Sequence, residues 1–341
     1  MSHNGRLGNT VTVNGRIPGA FWVRRGERIR LRLINVANAR SFALDFAGHR
    51  PMAIAYGEAG SGQPLFLLHG LGSWSYNWRF CVEPLARSFR VICVDAKGYG
   101  FSEASTLLPE PLLEPAEHQV VELVRIIQAL SDSPVIIAAE SLGALTALAV
   151  AQRHPKLIER LIVINVPIFP KRLPSLGMRS LASLPLPLVQ WLDQGQYIRP
   201  LAPLARQITR MIRREVVFDP KTITAEEIYW LTYPYLYLPG TLTQFAKDLR
   251  LAAQQIDRLH CQQPNLISEI QQDLAKIVCP TLILWSDQDR WFPLEDGRHL
   301  KHRLPHARFQ VLPCCGHVAS SNQPKAVNQA ILGFCGFAQG V

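Results

Sequence analysis

From about residue 64 onward, short apolar runs alternate with longer stretches in which apolar positions recur every three or four residues. The runs are Leu65–Leu68, Val91–Val94, Val135–Ala138, Leu161–Ile164, Thr281–Trp285 and Phe309–Leu312. Unbroken apolar runs of this length predict strands buried on both faces. Helical spacing over Glu83–Ser88, Pro115–Leu130 and Leu142–His154 predicts the crossover helices that parallel strands require. The expected fold class is α/β, with a mostly parallel, doubly wound sheet.

The alternation stops after Asn165 and resumes only at Pro280. Stretches between them, Ala202–Arg214, Ala225–Leu231 and Leu242–Leu259, have helical spacing, and a structureless loop of that length is uncommon in a compact domain. A helical cap is therefore expected over residues 168–279, inserted between two sheet strands of a core formed by 41–167 and 280–341. It would cover the carboxyl ends of the strands, the edge where open α/β sheets bind ligands. The beginning of the chain reads differently. Thr10–Val13, Phe21–Val23, Ile29–Leu33 and Phe42–Phe46 have strand character, with turn signals at Asn14-Gly15, Gly26 and Gly48. Residues 1–40 are expected to be a basic, β-rich extension, not an independent domain.

Composition removes several classes. The chain has 341 residues, 48% hydrophobic and 18% charged, which excludes a disordered or collagen-like chain. Its net charge of +10 raises nucleic acid as a partner. Nine of the arginines, however, lie within residues 1–50, and no RNP-like, zinc-finger or helix-turn-helix signature accompanies them. A solvated basic surface is expected, with no nucleic-acid partner. Seven cysteines form an odd set without a CxxC pair or a leading signal peptide, which predicts reduced thiols and a cytoplasmic protein. The longest apolar stretch, Val135–Ala151, is broken by Glu140, Ser141 and Thr146 and falls short of the ~20 residues that span a bilayer. No membrane insertion is expected.

The most informative stretch is Val135-Ile-Ile-Ala-Ala-Glu-Ser-Leu-Gly-Ala144, a strand that meets Ala139, Glu140, Ser141, Leu142 and Gly143 and runs at once into a helix. This is a nucleophile elbow with one departure, Ala139 in place of the usual glycine. Small residues two positions either side of Ser141 are needed because the turn is so tight. The helix beginning near Leu142 would point N-terminal NH groups at negative charge forming on the serine. Further pieces arrive at strand ends. Leu65–Leu68 runs into His69-Gly70-Leu71-Gly72, where the Leu71 NH would join that of Leu142 as an oxyanion hole. Asp289 follows the strand ending at Trp285, and His317 follows the one ending at Leu312, in Cys314-Cys315-Gly316-His317.

With Asp95-Ala-Lys-Gly98-Tyr-Gly100-Phe-Ser102 and Ser286-Asp-Gln-Asp289 added, residues from about 52 to 338 resemble the α/β-hydrolase fold family, in its capped form. The resemblance implies Ser141 as nucleophile, His317 as general base and Asp289 as the acid that orients it. Dehalogenases and epoxide hydrolases of this family carry Asp at the elbow, and Ser141 argues against both. The implied mechanism is acyl transfer: Ser141 attacks a carbonyl, the two NH groups hold the oxyanion, and water releases the acyl-enzyme. It needs no metal and no organic cofactor. The main expectation is a serine hydrolase of a carboxylic ester or related acyl bond. A carbon-carbon bond hydrolase of the same fold, or a non-catalytic ligand-binding protein on that fold, stand as alternatives.

Other residues have more than one reading. Asp287 is a second candidate acid, and Asn165, at the other position where the family places one, lacks the charge. His69, Gly70, Glu140 and Trp291 are candidate pocket residues, with His69 also read as structural to the oxyanion loop. Glu140 either tunes His317 or the substrate, or simply caps or pairs with a neighbour. His299, His302 and His306 read as a wet surface face and not a metal site, and Cys314 with Cys315 as a packed pair of thiols. The insertion is greasy at Leu181–Trp191 and Ile228–Tyr237, which favours a small apolar acyl substrate as partner. The same residues would also serve the cap's own core, and interfacial docking to lipid is the lesser reading. Finally, Asn9–Pro18 and Arg25–Arg40 resemble part of a multicopper-oxidase cupredoxin domain, over about residues 9–50. Only His3 and His49 occur in the first 50 residues, so copper chemistry is not carried over.

Overall fold

The structure, a computed structural model, describes residues 54–104 and 117–337 within a compact unit spanning Met52–Val341. The strands expected between Thr10 and Phe46 and the cupredoxin-like stretch lie outside the described residues.

Seven strands form one sheet: β1 Tyr56–Ala59, β2 Pro64–Leu68, β3 Arg90–Val94, β4 Val135–Glu140, β5 Ile158–Ile164, β6 Thr281–Ser286 and β7 Arg308–Leu312. Their order is β1-β3-β2-β4-β5-β6-β7. All pairings are parallel except β1 with β3. All six apolar runs read from the sequence are strands. The exception is instructive: Tyr-Gly-Glu-Ala of β1 is mostly exposed and carries no apolar run, so an edge strand of this kind leaves no hydrophobic signature.

Among the described residues, twelve α-helices accompany the sheet. Around the first five strands lie α1 Arg79–Ala86, α2 His118–Leu130 and α3 Leu142–Arg153. Between β5 and β6 come α4 Leu176–Ser183, α5 Leu186–Gln194, α6 Ala202–Val216, α7 Ala225–Tyr237, α8 Thr241–His260 and α9 Leu266–Gln272. The chain closes with α10 Leu294–Arg303, α11 Ala319–Asn322 and α12 Pro324–Phe334. One apolar layer joins the sheet to α2, α3, α9 and α10, through residues such as Leu123, Leu148, Ile270 and Leu300. The other joins it to α1 and α12, through Leu85, Val327 and Ile331. Helices thus cover both faces, as a sheet with Leu65, Phe66, Ile137 and Ile283 fully buried demands.

The insertion is helical as expected, but its end differs. α9 packs beside α3, with Gln152 Nε2 donating to the Ile270 carbonyl at 2.8 Å. Ile267 and Ile270 belong to the core layer. Part of the expected cap, α9, thus packs on the sheet's core layer, because periodicity reports a buried helix face and not the neighbour it is buried against.

Candidate active site

Ser141 sits between β4 and α3 with φ 54° and ψ −124°, a strained conformation held by the elements on either side. Its NH donates to the Ile164 carbonyl of β5 at 2.9 Å. The tightness of the turn is measurable: a Cβ on Gly143 would lie 2.5 Å from the His69 carbonyl oxygen, so no larger residue fits there. Ala139 is tolerated where a glycine was expected because its methyl group is fully buried in the apolar layer.

The imidazole of His317 faces the serine. Its Nε2 is 3.0 Å from Ser141 Oγ, and its Nδ1 is 2.7 Å from Asp289 Oδ2. The other Asp289 oxygen accepts the backbone NH groups of Trp291 and Phe292, at 2.8 and 3.0 Å. The carboxylate is thus fixed at both oxygens, and its side chain is wholly buried. Burial by itself pushes the His317 imidazole down. The charge and hydrogen bond of Asp289, with the charge of Glu140, outweigh that effect and the opposing charge of Arg213, and hold it above the ordinary histidine value. Three groups from three loops therefore stand in a hydrogen-bonded line of hydroxyl, imidazole and carboxylate, an order of groups that can activate a serine.

Leu71 and Leu142, read as the oxyanion donors, both line the cavity beside Ser141, as do Gly70 and Trp291. Leu142 opens α3, where the first NH groups have no helical partner. The loop carrying Gly70 and Leu71 is braced from behind. His69 is buried, with Nε2 accepting the Ala96 NH at 3.0 Å and Nδ1 2.9 Å from the Gly70 carbonyl. Burial lowers its basicity, partly offset by Asp95 and the Gly70 bond. His69 is not part of the main cavity wall. Its ring is committed to two backbone groups, which favours the structural reading. Asp95 likewise serves the scaffold, accepting the NH groups of Ser75 and Phe101.

Glu140 is fully buried behind the serine. Its two oxygens accept the NH and the hydroxyl of Ser320, at 3.0 and 2.9 Å. Glu140 is among the residues that line the cavity beside Ser141, and it also ties the elbow to Ser320, three residues beyond His317. Burial raises its pKa, opposed by the Ser320 bonds and by the charges of His317 and Arg213. Cys81 and Cys315 feel its charge from the neighbouring elements.

Two candidates fall away. Asp287 accepts the Cys315 NH at 3.1 Å and is the loop's anchor. Cys314 is exposed and Cys315 buried, so the two thiols are not a packed pair, and burial pushes that of Cys315 up to about 12. His299, His302 and His306 are exposed, and His299 stacks on Phe169 with ring centroids 4.3 Å apart. Asn165 gains a role that its lack of charge concealed. Its Nδ2 donates to the His317 carbonyl at 2.6 Å and to Ser286 Oγ at 2.9 Å, while its Oδ1 accepts the Ser286 NH. It sets the height of the histidine loop. The signal available in the sequence was its position, directly after β5.

Ser141 and His317 open on a cavity of about 730 Å³. Its walls are largely apolar, with Met178, Leu181, Ile212, Leu231, Phe245 and Ile256 contributed by the insertion. Arg213 of α6 is the buried cation of this wall. It pairs with Glu227 at 2.7 Å and Ser321 Oγ at 2.6 Å, and Arg79 of α1 completes the cluster on Glu227 at 3.1 Å.

A family model described as alpha/beta hydrolase fold matches residues 63–324, which span the elbow, the acid and the histidine. The chain belongs to the alpha/beta hydrolase family. It is 27% identical over 265 residues to a 2-hydroxy-6-oxo-2,4-heptadienoate hydrolase of Pseudomonas putida, a match covering 76% of this chain and 84% of that one. It is 26% identical over 281 residues to a 2-hydroxy-6-oxo-6-phenylhexa-2,4-dienoate hydrolase of Burkholderia cepacia, covering 81% and 89%. Among solved structures, an alpha/beta hydrolase fold protein of Burkholderia ambifaria superposes with a TM-score of 0.66 at 25% identity, covering 85% of this hydrolase and 96% of its counterpart. The cupredoxin resemblance of residues 9–50 finds no support in these comparisons.

Proposed function

We propose that this hydrolase cleaves the carbon-carbon bond beside a ketone in a small conjugated keto acid, with Ser141 as nucleophile, His317 as acid and base, and Asp289 as the orienting carboxylate. The observation that carries the reading is the 3.0 Å approach of His317 Nε2 to Ser141 Oγ at the floor of the cavity. The choice of bond is supported by the relatives. A 2-hydroxy-6-oxo-dienoate contains no ester or amide, so a hydrolase named for one adds water across a carbon-carbon bond. In the proposed reaction, Ser141 Oγ adds to the ketone carbon as its proton passes to His317. The oxyanion lies against the NH groups of Leu71 and Leu142. The dienol has first tautomerised to its keto form, so that the carbon beside the ketone is tetrahedral. The bond to that carbon breaks, its electron pair spreads through the adjoining double bond onto the 2-oxo group, and His317 returns the proton to the resulting dienolate. Water then releases the acyl group as a carboxylic acid. The insertion acts as the cap that keeps the acyl portion in apolar surroundings.

A specific observation favours a second reading, hydrolysis of a carboxylic ester with an apolar body. A dienoate carries a carboxylate, yet the buried cation of the wall, Arg213, is already committed to Glu227 and Ser321. Parallel assays decide between them. Turnover of 2-hydroxy-6-oxo-6-phenylhexa-2,4-dienoate is followed by loss of its visible absorbance, and that of p-nitrophenyl butyrate by release of nitrophenolate. The proposal expects the larger kcat/KM for the dienoate and loss of turnover in Ser141→Ala. A larger value for the ester, with no dienoate turnover, overturns it in favour of the second reading.

A further inference from the structure

The outer face of the insertion carries apolar side chains that neither the core nor the cavity uses. Leu188, Trp191, Tyr197, Leu201, Leu204 and Met211 are 44%, 58%, 51%, 47%, 56% and 49% exposed, and none of them lines the cavity. On α6 the pattern is regular. Leu204, Ile208 and Met211 recur at helical spacing along one exposed stripe, with exposed Arg214 beside it on the solvent side. The opposite side of the helix, with Ala202, Arg213 and Val216, is buried. Scattered exposed hydrophobes need no explanation, but a run of them across successive elements does.

Charge selects the occupant. Residues 171–216 hold eight Lys and Arg against Asp193 and Glu215, a net of +6. Asp193, its Oδ2 accepting the Thr243 NH, and Arg213, paired with Glu227, are both buried, so neither adds to the surface charge and the exposed balance stays strongly positive. Among the cations, Arg199, Arg206 and Arg210 reach only Leu236 and Tyr237 carbonyls, the Tyr229 ring and the Ile223 carbonyl. These contacts leave their charge uncompensated. Exposed leucine, tryptophan and methionine interleaved with arginine match a surface that is apolar inside and anionic outside, which is the headgroup boundary of an acidic bilayer. The face is also joined to the cavity. Leu184 and Ile208 are 40% and 39% exposed and line its wall, and exposed Arg172 lines it too. We propose that this face of α5 and α6 docks on an anionic phospholipid bilayer, which sets the adjoining wall of the cavity against the lipid surface. The docking does not depend on which bond is cleaved. No helix among the described residues is long and apolar enough to cross a membrane, so the contact is peripheral.

The test is co-sedimentation of the full chain with vesicles of phosphatidylcholine alone and of phosphatidylcholine mixed with phosphatidylglycerol. The proposal expects binding to the mixed vesicles that weakens with salt. Each charge removed in Arg206→Gln and Arg214→Gln should lower partitioning about fivefold at low salt. The triple variant Trp191→Gln, Leu204→Gln, Met211→Gln should lower it at least about tenfold, with the melting temperature and fluorophosphonate labelling of Ser141 unchanged. Because the basic beginning of the chain is present in every variant, vesicle binding that survives the triple and arginine substitutions overturns the proposal. So does equal partitioning on neutral and mixed vesicles. A patch variant that turns a dimer into a monomer in sedimentation velocity, with vesicle binding unaltered, assigns the face to a second copy of the chain instead.

Discussion

At the scale of single residues, the chemistry rests on how charge is arranged around one imidazole. Asp289 and Glu140 both favour protonated His317, and Arg213 opposes them. The base works only when neutral, so activity rises with pH through a pKa held above the ordinary histidine value. Glu140→Gln removes one of the two negative charges, and the acid limb of the kcat/KM profile is expected to move to lower pH. A purely structural role would leave that limb in place, which makes the pH profile the discriminating readout. Asp289→Asn should move it further down and lower kcat on the order of 10⁴-fold, because the imidazole loses its oriented tautomer. That Ser141, Asp289 and His317 would come together was legible because each follows a strand in a recognisable string. Glu140 was not, since its partner Ser320 lies 180 positions away and nothing local announces it. Asn165 was read only for the charge it lacks, when its value is an amide that donates to one loop and accepts from another.

At the scale of elements, the sheet was legible and the docking of the insertion was not. Six buried strands declare themselves by composition, whereas the exposed edge strand β1 does not. The helices α6, α7 and α8 follow their apolar spacing, but the ties that seat them are polar and long-range. Trp74 Nε1 donates to the Trp230 carbonyl of α7 at 3.1 Å, and the Tyr99 hydroxyl to Asp248 of α8 at 2.8 Å. Asp248 is buried deeply enough that its pKa is pushed up to about 6, against the bonds from Tyr99 and Gln244 that lower it. The sign of the linkage follows. The folded state binds this proton more tightly than the unfolded chain, so the contribution to stability is largest below the ordinary aspartate value of 3.8 and is lost as pH rises through about 6. Asp248→Asn should therefore match the wild type near pH 4 and exceed it at neutral pH, by on the order of 2 kcal/mol. Thermal melts of both proteins across that range check this. A constant difference at every pH would place the effect in the lost hydrogen bonds.

At the scale of the whole molecule, family and reaction class emerge from the order serine, acid, histidine along one parallel sheet, while the substrate depends on a cavity built mainly by the insertion. Net charge was an incomplete guide. The arginine-rich opening fifty residues made the remainder look nearly neutral, although that remainder contains the +6 segment at residues 171–216. The walls of that cavity are largely apolar, with Arg213 buried and paired to Glu227 and exposed Arg172 also lining it. The account as a whole requires that Ser141 be a reactive nucleophile because His317 and Asp289 make it one. The most direct measurement is the rate and position of labelling by a fluorophosphonate, read by intact mass and peptide mapping as a function of pH. The account predicts a single adduct on Ser141, forming faster as His317 loses its proton and abolished by His317→Ala. An adduct on another residue, or labelling of Ser141 at an unchanged rate in the His317 variant, would contradict it.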